Sequence, residues 1–208
     1  MLGSFAGVAD FGAFVVAVVV FLAIPGPGNL ALVTSTGKGG IRGGLGATVG
    51  VILGDQVLLW AAVAGLSALL VASPALFHAV QWLGAAYLAW LGARMILAKP
   101  GDAPILQMRT GQYVRQALLI TVLNPKAIVF YMAFFPLFVD PAQHLGLLTF
   151  GVMAATIAGL TFVYGLVATL LTFYLAERLQ AQPWVRSLLE KTAGALLIGF
   201  GAKLALSR

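Results

Sequence analysis

The chain has 208 residues, of which 61% are hydrophobic and only 9% are charged, and its mean hydropathy is +1.02. A soluble domain carries about 25% charged residues, so this composition excludes a water-soluble protein and indicates an integral membrane protein. The net charge of +6 comes from basic residues spread over several loops, which argues against a nucleic-acid partner. The sequence has no cysteine, which excludes disulfides, thiolate metal sites and cysteine nucleophiles.

Six segments are apolar enough to cross a bilayer as helices, for which ~20 residues are needed. They predict an all-α integral membrane protein with transmembrane helices at about Phe11–Thr36, Gly43–Val71, Ala75–Leu97, Tyr113–Phe138, Leu145–Tyr174 and Val185–Leu206. No segment between them is long enough for a soluble domain, so residues 1–208 are predicted to form one transmembrane domain. No basic stretch precedes the first segment, which is interpreted as a retained span and not a cleaved signal.

The distribution of Lys and Arg predicts the orientation of these spans. The first, third and fifth connections, with the adjoining helix ends, carry Lys38, Arg42, Arg94, Lys99, Arg109, Arg115, Arg178, Arg186 and Lys191. The opposite side carries only Lys203 and Arg208, both near the C-terminus. We therefore expect a multi-pass protein whose odd-numbered connections are cytoplasmic and whose two termini face outward.

The two halves of the chain, about 1–98 and 113–208, share a pattern and are joined by a linker at 99–112. Pro25 in the first span corresponds to Pro125 in the fourth, and glycines spaced four apart in the second span correspond to small residues in the fifth. The residues of the second span are Gly46, Gly50 and Gly54, and those of the fifth are Gly151, Ala155 and Gly159. Because each half has three spans, the second half must be inserted upside down, which predicts two inverted three-helix repeats like those of many secondary transporters.

Prolines interrupt the first and fourth spans at corresponding places, and such paired breaks indicate a transport site. The run Pro25-Gly26-Pro27-Gly28 cannot continue an α-helix, because proline lacks a backbone N–H group and clashes with the preceding turn. A broken helix leaves free N–H groups that suit a carboxylate and free carbonyl groups that suit a cation. The structural alternative is a simple kink.

Asp55 is the one acidic residue deep in a predicted span. It lies eleven residues beyond Gly44, ~16 Å at 1.5 Å per residue, near the centre of a hydrocarbon core ~30 Å thick. A charge there costs at least ~2.5–3.5 kcal/mol, so the side chain is expected to face the protein interior. It could bind a substrate ammonium group or carry the proton that couples transport. The structural alternative is a satisfied interhelical hydrogen bond.

Lys126 lies at a similar depth, directly after the Asn124-Pro125 break. It could bind a substrate carboxylate or act as the counter-ion of Asp55. Thr48, Gln56, Tyr131 and Tyr164 could line a pathway. No cluster of His, Asp and Glu has the spacing of metal ligands, so no metal and no cofactor are expected. The expected substrate-binding residues are Pro25, Gly26, Pro27, Gly28, Asn29, Asn124, Pro125, Lys126 and Tyr131, with Asp55 as the proton-coupling residue.

Several of these motifs resemble the LysE/RhtB superfamily of amino-acid exporters over essentially the whole chain. The resemblance rests on Pro25-Gly26-Pro27, on Gly50-x-x-x-Gly54-Asp55, on Leu83-Gly84-Ala85-Ala86-Tyr87-Leu88 and on Asn124-Pro125-Lys126-Ala127-Ile128. Gly54-Asp55-x-Val57-Leu58 and Phe130-Tyr131-x-x-Phe134-Phe135 are most similar to the leucine-efflux subgroup. One departure is Gly28, because relatives often carry Asn or Asp directly after Pro-Gly-Pro.

The resemblance implies an exporter of amino acids in the plasma membrane of a bacterium (the inner membrane), driven by proton antiport, with a neutral, leucine-like substrate favoured. Its partners would be the amino acid, protons and the lipid bilayer, and the oligomeric state is open, with a homodimer among the options. Two alternatives belong to other classes: an exporter of a metal or another inorganic ion, and an intramembrane enzyme. The enzyme is disfavoured because the sequence shows no nucleophile with a base within reach.

Overall fold

The computed structural model describes residues 6–24, 26–72, 108–139 and 146–179, with isolated positions 82, 86, 90, 93, 97, 191 and 195. Every regular element in these ranges is a helix, which confirms the all-helical prediction for this part of the chain. In chain order they are α1 (Phe11–Ala23), α2 (Pro27–Ala72), α3 (Tyr113–Val122), α4 (Pro125–Val129), a π-helical turn (Phe130–Phe134), a 3-10 turn (Phe135–Phe138) and α5 (Leu147–Leu179). Among the described residues, two helical stretches are long and apolar enough to cross a membrane, Leu147–Leu175 and Pro27–Gly65, the latter of which is interrupted at Gly40.

The predicted spans agree with these elements to different degrees. The fourth span begins and ends at the predicted residues, Tyr113 and Phe138, but is divided into α3, α4 and the two turns. The fifth, predicted at Leu145–Tyr174, corresponds to α5. The third and sixth, at Ala75–Leu97 and Val185–Leu206, lie outside the described residues except for the isolated helical positions.

Helix α1 is fixed at both ends by specific contacts. Asp10 caps its N-terminus, where the carboxylate Oδ1 accepts a hydrogen bond from the Ala13 N–H group at 2.9 Å. Just before the cap, Ala9 N–H donates to the Phe138 carbonyl at 2.9 Å and ties the segment to the 3-10 turn. At the other end Ile24 is extended (φ −66°, ψ 119°), so the helix stops where the sequence predicts the first break.

Helix α2 reverses direction at Gly40, whose backbone angles (φ 61°, ψ −154°) are open to glycine and strained for other residues. The segments on either side lie against each other in antiparallel fashion. Ala31 packs with Ala47 in one buried cluster, and Gly43 lies against the carbonyl group of Ser35. The connection predicted between the first two spans is therefore a single reversing residue flanked by helix. We call the two segments α2a (27–39) and α2b (41–72).

The glycines spaced four apart in α2b allow the close helix contact that their spacing predicts. Gly50 lies against the backbone of Val114 and the Cβ atom of Ala117 on α3. A Cβ atom on Gly54 would lie 2.6 Å from the Cβ atom of Thr121, closer than carbon atoms can approach. The backbones of α2b and α3 therefore pack directly against each other.

The corresponding row in α5 does not make the same contact. Neither Gly151 nor Gly159 has a neighbour within 4 Å of the position of a Cβ atom, so far as the described residues show. The packing expected for this row is thus not found among those residues. The two rows match in sequence spacing and differ in their surroundings.

A buried aromatic cluster joins α1 to the residues that follow α4. The Phe21 and Phe130 rings stack with their centroids 4.1 Å apart and their planes inclined by 19°, and the Phe14 and Phe138 rings lie 5.4 Å apart. Large apolar side chains are exposed on the outer faces of every α-helix, among them Val16, Val57, Leu119, Ile128 and Val163. Such surfaces suit lipid and not water, in agreement with the composition.

Candidate functional site at the two helix breaks

The break between α1 and α2 is bridged by the side chain of Asn29. Its Nδ2 atom donates to the carbonyl oxygens of Leu22 at 3.0 Å and Ile24 at 3.1 Å. The same nitrogen lies 3.1 Å from the Tyr164 hydroxyl oxygen on α5. An amide nitrogen carries only two hydrogens, so these three acceptors share them. Asn29 thus satisfies carbonyl groups that the broken helix leaves free and connects the break to α5. Pro25 lies outside the described residues.

The second break separates α3 from α4 at Leu123 and Asn124. Asn124 is extended (φ −76°, ψ 112°), and its Oδ1 atom accepts a hydrogen bond from the Lys126 backbone N–H group at 3.0 Å. Pro125 occupies the first turn of α4, where its missing N–H group costs nothing. Asn124 therefore caps the new helix, which is the structural role that short polar residues often take at such breaks.

Lys126 connects the two breaks. Its side chain is buried, and its Nζ atom donates to the carbonyl oxygens of Phe21 at 3.1 Å and Ile24 at 2.8 Å. The same atom lies 4.5 Å from the centre of the Phe21 ring, within the range of a cation–π interaction. Gly26 leaves room for the side chain, because a Cβ atom there would lie 3.3 Å from Nζ. The ammonium group is thus held at the carboxyl end of α1, where the helix dipole favours a positive charge.

Asp55 lies on α2b and is only 2% exposed. Thr161 on α5 donates a long hydrogen bond of 3.4 Å to its Oδ2 atom. The Tyr131 hydroxyl group lies nearby but makes no hydrogen bond of ordinary geometry. Lys126 is close enough to interact electrostatically, although no direct ion pair joins the two groups in the described part of the chain. Asp55 is therefore a buried acid with few direct partners.

A cavity of about 30 Å³ lies between these groups. Its lining combines both breaks with the buried acid: Phe21, Leu22, Gly28, Asn29, Val51, Asp55, Thr121, Asn124, Lys126 and Ala127. The volume suffices for water and is far below the ~300–1,000 Å³ of small-molecule sites. The hydroxyl groups of Thr121 and Tyr131 are buried and make no hydrogen bond among the described residues. The site therefore has unused hydrogen-bonding capacity.

Comparison with known proteins identifies the family. The family model of the LysE type translocators matches residues 19–208. The chain belongs to this family. It is 36% identical to an uncharacterised membrane protein of Pseudomonas aeruginosa, with 96% of each chain covered. It is 33% identical to the leucine efflux protein of Salmonella typhimurium and 31% identical to that of Klebsiella pneumoniae, again with 96% of each chain covered. No solved structure matches the chain.

In this translocator the structure brings together most of the residues that the sequence predicts for the site. The cavity is lined by five of them, Gly28, Asn29, Asp55, Asn124 and Lys126. Four others lie close by: Gly26 contacts Lys126, Tyr131 lies near Asp55, and Pro27 and Pro125 begin α2 and α4. Thr48 and Gln56 instead bond to the carbonyl groups of Gly44 and Ala154, at 3.0 and 3.1 Å, and do not line the cavity.

Sequence reasoning missed several contributors to the translocator site, among them Phe21, Thr121 and Thr161. The signal for Phe21 is its position four residues before Pro25, because its carbonyl group would normally accept the N–H group that proline lacks. Thr121 lies three residues before Asn124, about one helical turn before the second break. Nothing in the sequence distinguishes Thr161 from the other threonines of α5.

Proposed function

We propose that this translocator exports a neutral, leucine-like amino acid across the cytoplasmic membrane by proton antiport. Family membership supports a translocator and not an enzyme. Relatives that are 33% and 31% identical over 96% of the chain carry the name leucine efflux protein, which supports the choice of substrate class. In this proposal the chain forms six membrane spans as two inverted repeats, with both termini outside.

The observation that carries the proposal is the meeting of both helix breaks at one buried cavity that contains an acidic and a basic side chain, Asp55 and Lys126. An amino acid is a zwitterion, so its site needs groups that favour both signs of charge. Paired helix breaks near the centre of the membrane supply such groups in many secondary transporters. Asp55 contributes the negative charge, and free N–H groups at a helix start favour a carboxylate.

In the proposed complex the substrate carboxylate lies at the N-terminus of α2, where Gly28 and Asn29 contribute N–H groups of the first turn. The substrate ammonium group lies toward Asp55, which is oriented by Thr161. The apolar side chain meets Leu22, Val51 and Ala127, which also line the cavity. Gly28 provides no side chain of its own, so the carboxylate contacts backbone at this position.

Access to the site requires the helices around it to separate. The cavity of about 30 Å³ between the described residues can hold water but is too small for an amino acid. Transport by alternating access moves one repeat against the other around a central site. In the proposed cycle, protonation of Asp55 from the outside weakens its hold on the substrate ammonium group and promotes release. Deprotonation toward the cytoplasm restores the binding site.

Counterflow in proteoliposomes tests the substrate assignment. Vesicles loaded with unlabelled leucine should accumulate labelled leucine, and a screen over the twenty amino acids should favour neutral, apolar side chains. Protein-free vesicles and vesicles with the Asp10→Asn variant are the controls, because Asp10 caps α1 away from the cavity and asparagine caps equally well. Absence of counterflow with every amino acid, together with a saturable flux of a divalent cation, would contradict the proposal and favour an ion exporter.

A further inference from the structure

The surroundings of the Lys126 ammonium group are those of a monovalent-cation site. Two backbone carbonyl oxygens, those of Phe21 and Ile24, lie 3.1 and 2.8 Å from Nζ. The face of the Phe21 ring lies 4.5 Å away, and the Asp55 carboxylate adds a negative charge nearby. Unwound carbonyl groups at the carboxyl end of a half-helix are the ligands that coordinate sodium or protons in several secondary transporters.

The carbonyl groups at this position are free for a reason that the sequence supplies. In a continuous helix the Phe21 carbonyl would accept the N–H group of residue 25, which is proline. Ile24 is extended and its carbonyl group points out of the helical ladder, toward Lys126 and Asn29. The Ile24 carbonyl group also accepts from Asn29, but Lys126 is the one donor to the Phe21 carbonyl group among the described residues. A buried carbonyl group without a partner is unfavourable, so the break favours a cation or donor at this place.

We infer that the Lys126 side chain is a tethered cation that occupies a monovalent-cation site at the carboxyl end of α1. Its ammonium group takes the place of a free cation, so the protein needs none there. Removal of the ammonium group leaves the carbonyl oxygens, the Phe21 ring and the Asp55 charge in place. A free monovalent cation, either an alkali metal ion or an alkylammonium ion, then binds in the vacated position.

The Lys126→Ala variant tests this inference without reference to any transported substrate. The atoms deleted beyond Cβ correspond to n-propylamine, so n-propylammonium is the matched probe. A ligand at a concentration ten times its dissociation constant increases the ratio of folded to unfolded protein about elevenfold. For a chain of this length, this raises the melting temperature by about 3–6 °C. We expect a saturable rise of this size with n-propylammonium chloride. Separate titrations with potassium and sodium chloride show whether an alkali metal ion also fits.

Three control proteins and one control salt isolate the site. The native protein should show no saturable response, because its own ammonium group fills the position. Lys126→Met should show none either, because its apolar side chain fills the space without a charge. Lys38 is less buried, and its Nζ atom also donates to a backbone carbonyl group, that of Met108 at 2.9 Å. The melting temperature of Lys38→Ala should therefore show no saturable rise with n-propylammonium. Choline, which is too bulky for the position, corrects for ionic strength.

The possible outcomes support or overturn the inference directly. Recovery of folded Lys126→Ala protein in n-propylammonium but not in choline supports it, as does a saturable stabilisation of the purified variant. Equal shifts in the melting temperature of the native and Lys126→Ala proteins overturn it. It is also overturned if no folded Lys126→Ala protein is recovered in any of the salts. A transport measurement, which rests on the proposed function, should show equal leucine export by the native protein in sodium, potassium and choline media. Leucine counterflow by the native protein tests export alone, so the two proposals can fail separately.

Discussion

Replacement of Gly50 by alanine should destabilise the protein although alanine is the better helix former. The new Cβ atom would lie 2.8 Å from the Ala117 Cβ atom and 3.0 Å from the Leu118 backbone nitrogen, and it would overlap the Val114 carbonyl oxygen. Carbon atoms in contact prefer about 3.5–4.0 Å, so α2b and α3 must separate by roughly 1 Å. Most of these neighbours are backbone atoms and cannot rotate away.

The magnitude follows from two opposing effects. Overpacking of a tight contact costs about 1–3 kcal/mol, and the clash with backbone places this variant at the upper end. The gain in helix propensity from glycine to alanine is about 1 kcal/mol. The net loss is then about 2 kcal/mol, equivalent to a decrease in melting temperature of about 4–8 °C for a chain of this size.

Gly46→Ala is the matched control because Gly46 lies four residues earlier on the same helix. A Cβ atom there meets the Tyr113 Cβ atom at 3.4 Å and a Val114 methyl group at 3.8 Å, which are ordinary contacts. This variant should keep the propensity gain and melt up to about 2–4 °C higher. Thermal unfolding in detergent, followed by near-ultraviolet circular dichroism, measures both shifts. Equal shifts of the same sign would refute the close approach of α2b and α3 at Gly50.

Further predictions concern the site and the reversal of α2. Asp55→Asn should abolish accumulation driven by a pH gradient and should also weaken leucine counterflow, because asparagine offers no charge to the substrate ammonium group; full gradient-driven accumulation would exclude Asp55 as the coupling residue. Asn29→Ala leaves the Leu22 carbonyl group without its donor, whereas the Ile24 carbonyl group keeps Lys126, and the change should cost about 1–3 kcal/mol. Tyr164→Phe removes only an acceptor of Asn29 and should cost less, about 0.5–1.5 kcal/mol; thermal unfolding compares the two, and the reverse order would be inconsistent with this network. Gly40→Ala should cost about 1–3 kcal/mol because of its backbone angles, whereas Gly37→Ala, which meets no atom of the described residues within 4 Å, should not destabilise in the same assay.

The sequence determines the class of the protein and the positions of its interruptions. Its apolar segments of about 20 residues or more indicate a helical membrane protein, because a helix of that length spans the bilayer and satisfies its own backbone hydrogen bonds. Proline lacks an N–H group wherever it stands, so the break at Pro125 could be predicted from residue type alone, and it is confirmed. The close contact made by Gly50 and Gly54 could also be predicted, because spacing by four places residues on one helix face.

Only the tertiary structure decides which groups meet at the breaks. The sequence left Lys126 with two options, a substrate carboxylate or Asp55, and the structure adds the carbonyl groups of Phe21 and Ile24, which are 105 and 102 residues away along the chain. Every residue has a carbonyl group, so such a partner has no signature in the sequence. The same applies to the glycine rows: Gly50 and Gly151 share a spacing, but only Gly50 has a close neighbour among the described residues. Spacing defines a helix face, and the arrangement of the helices determines what that face contacts.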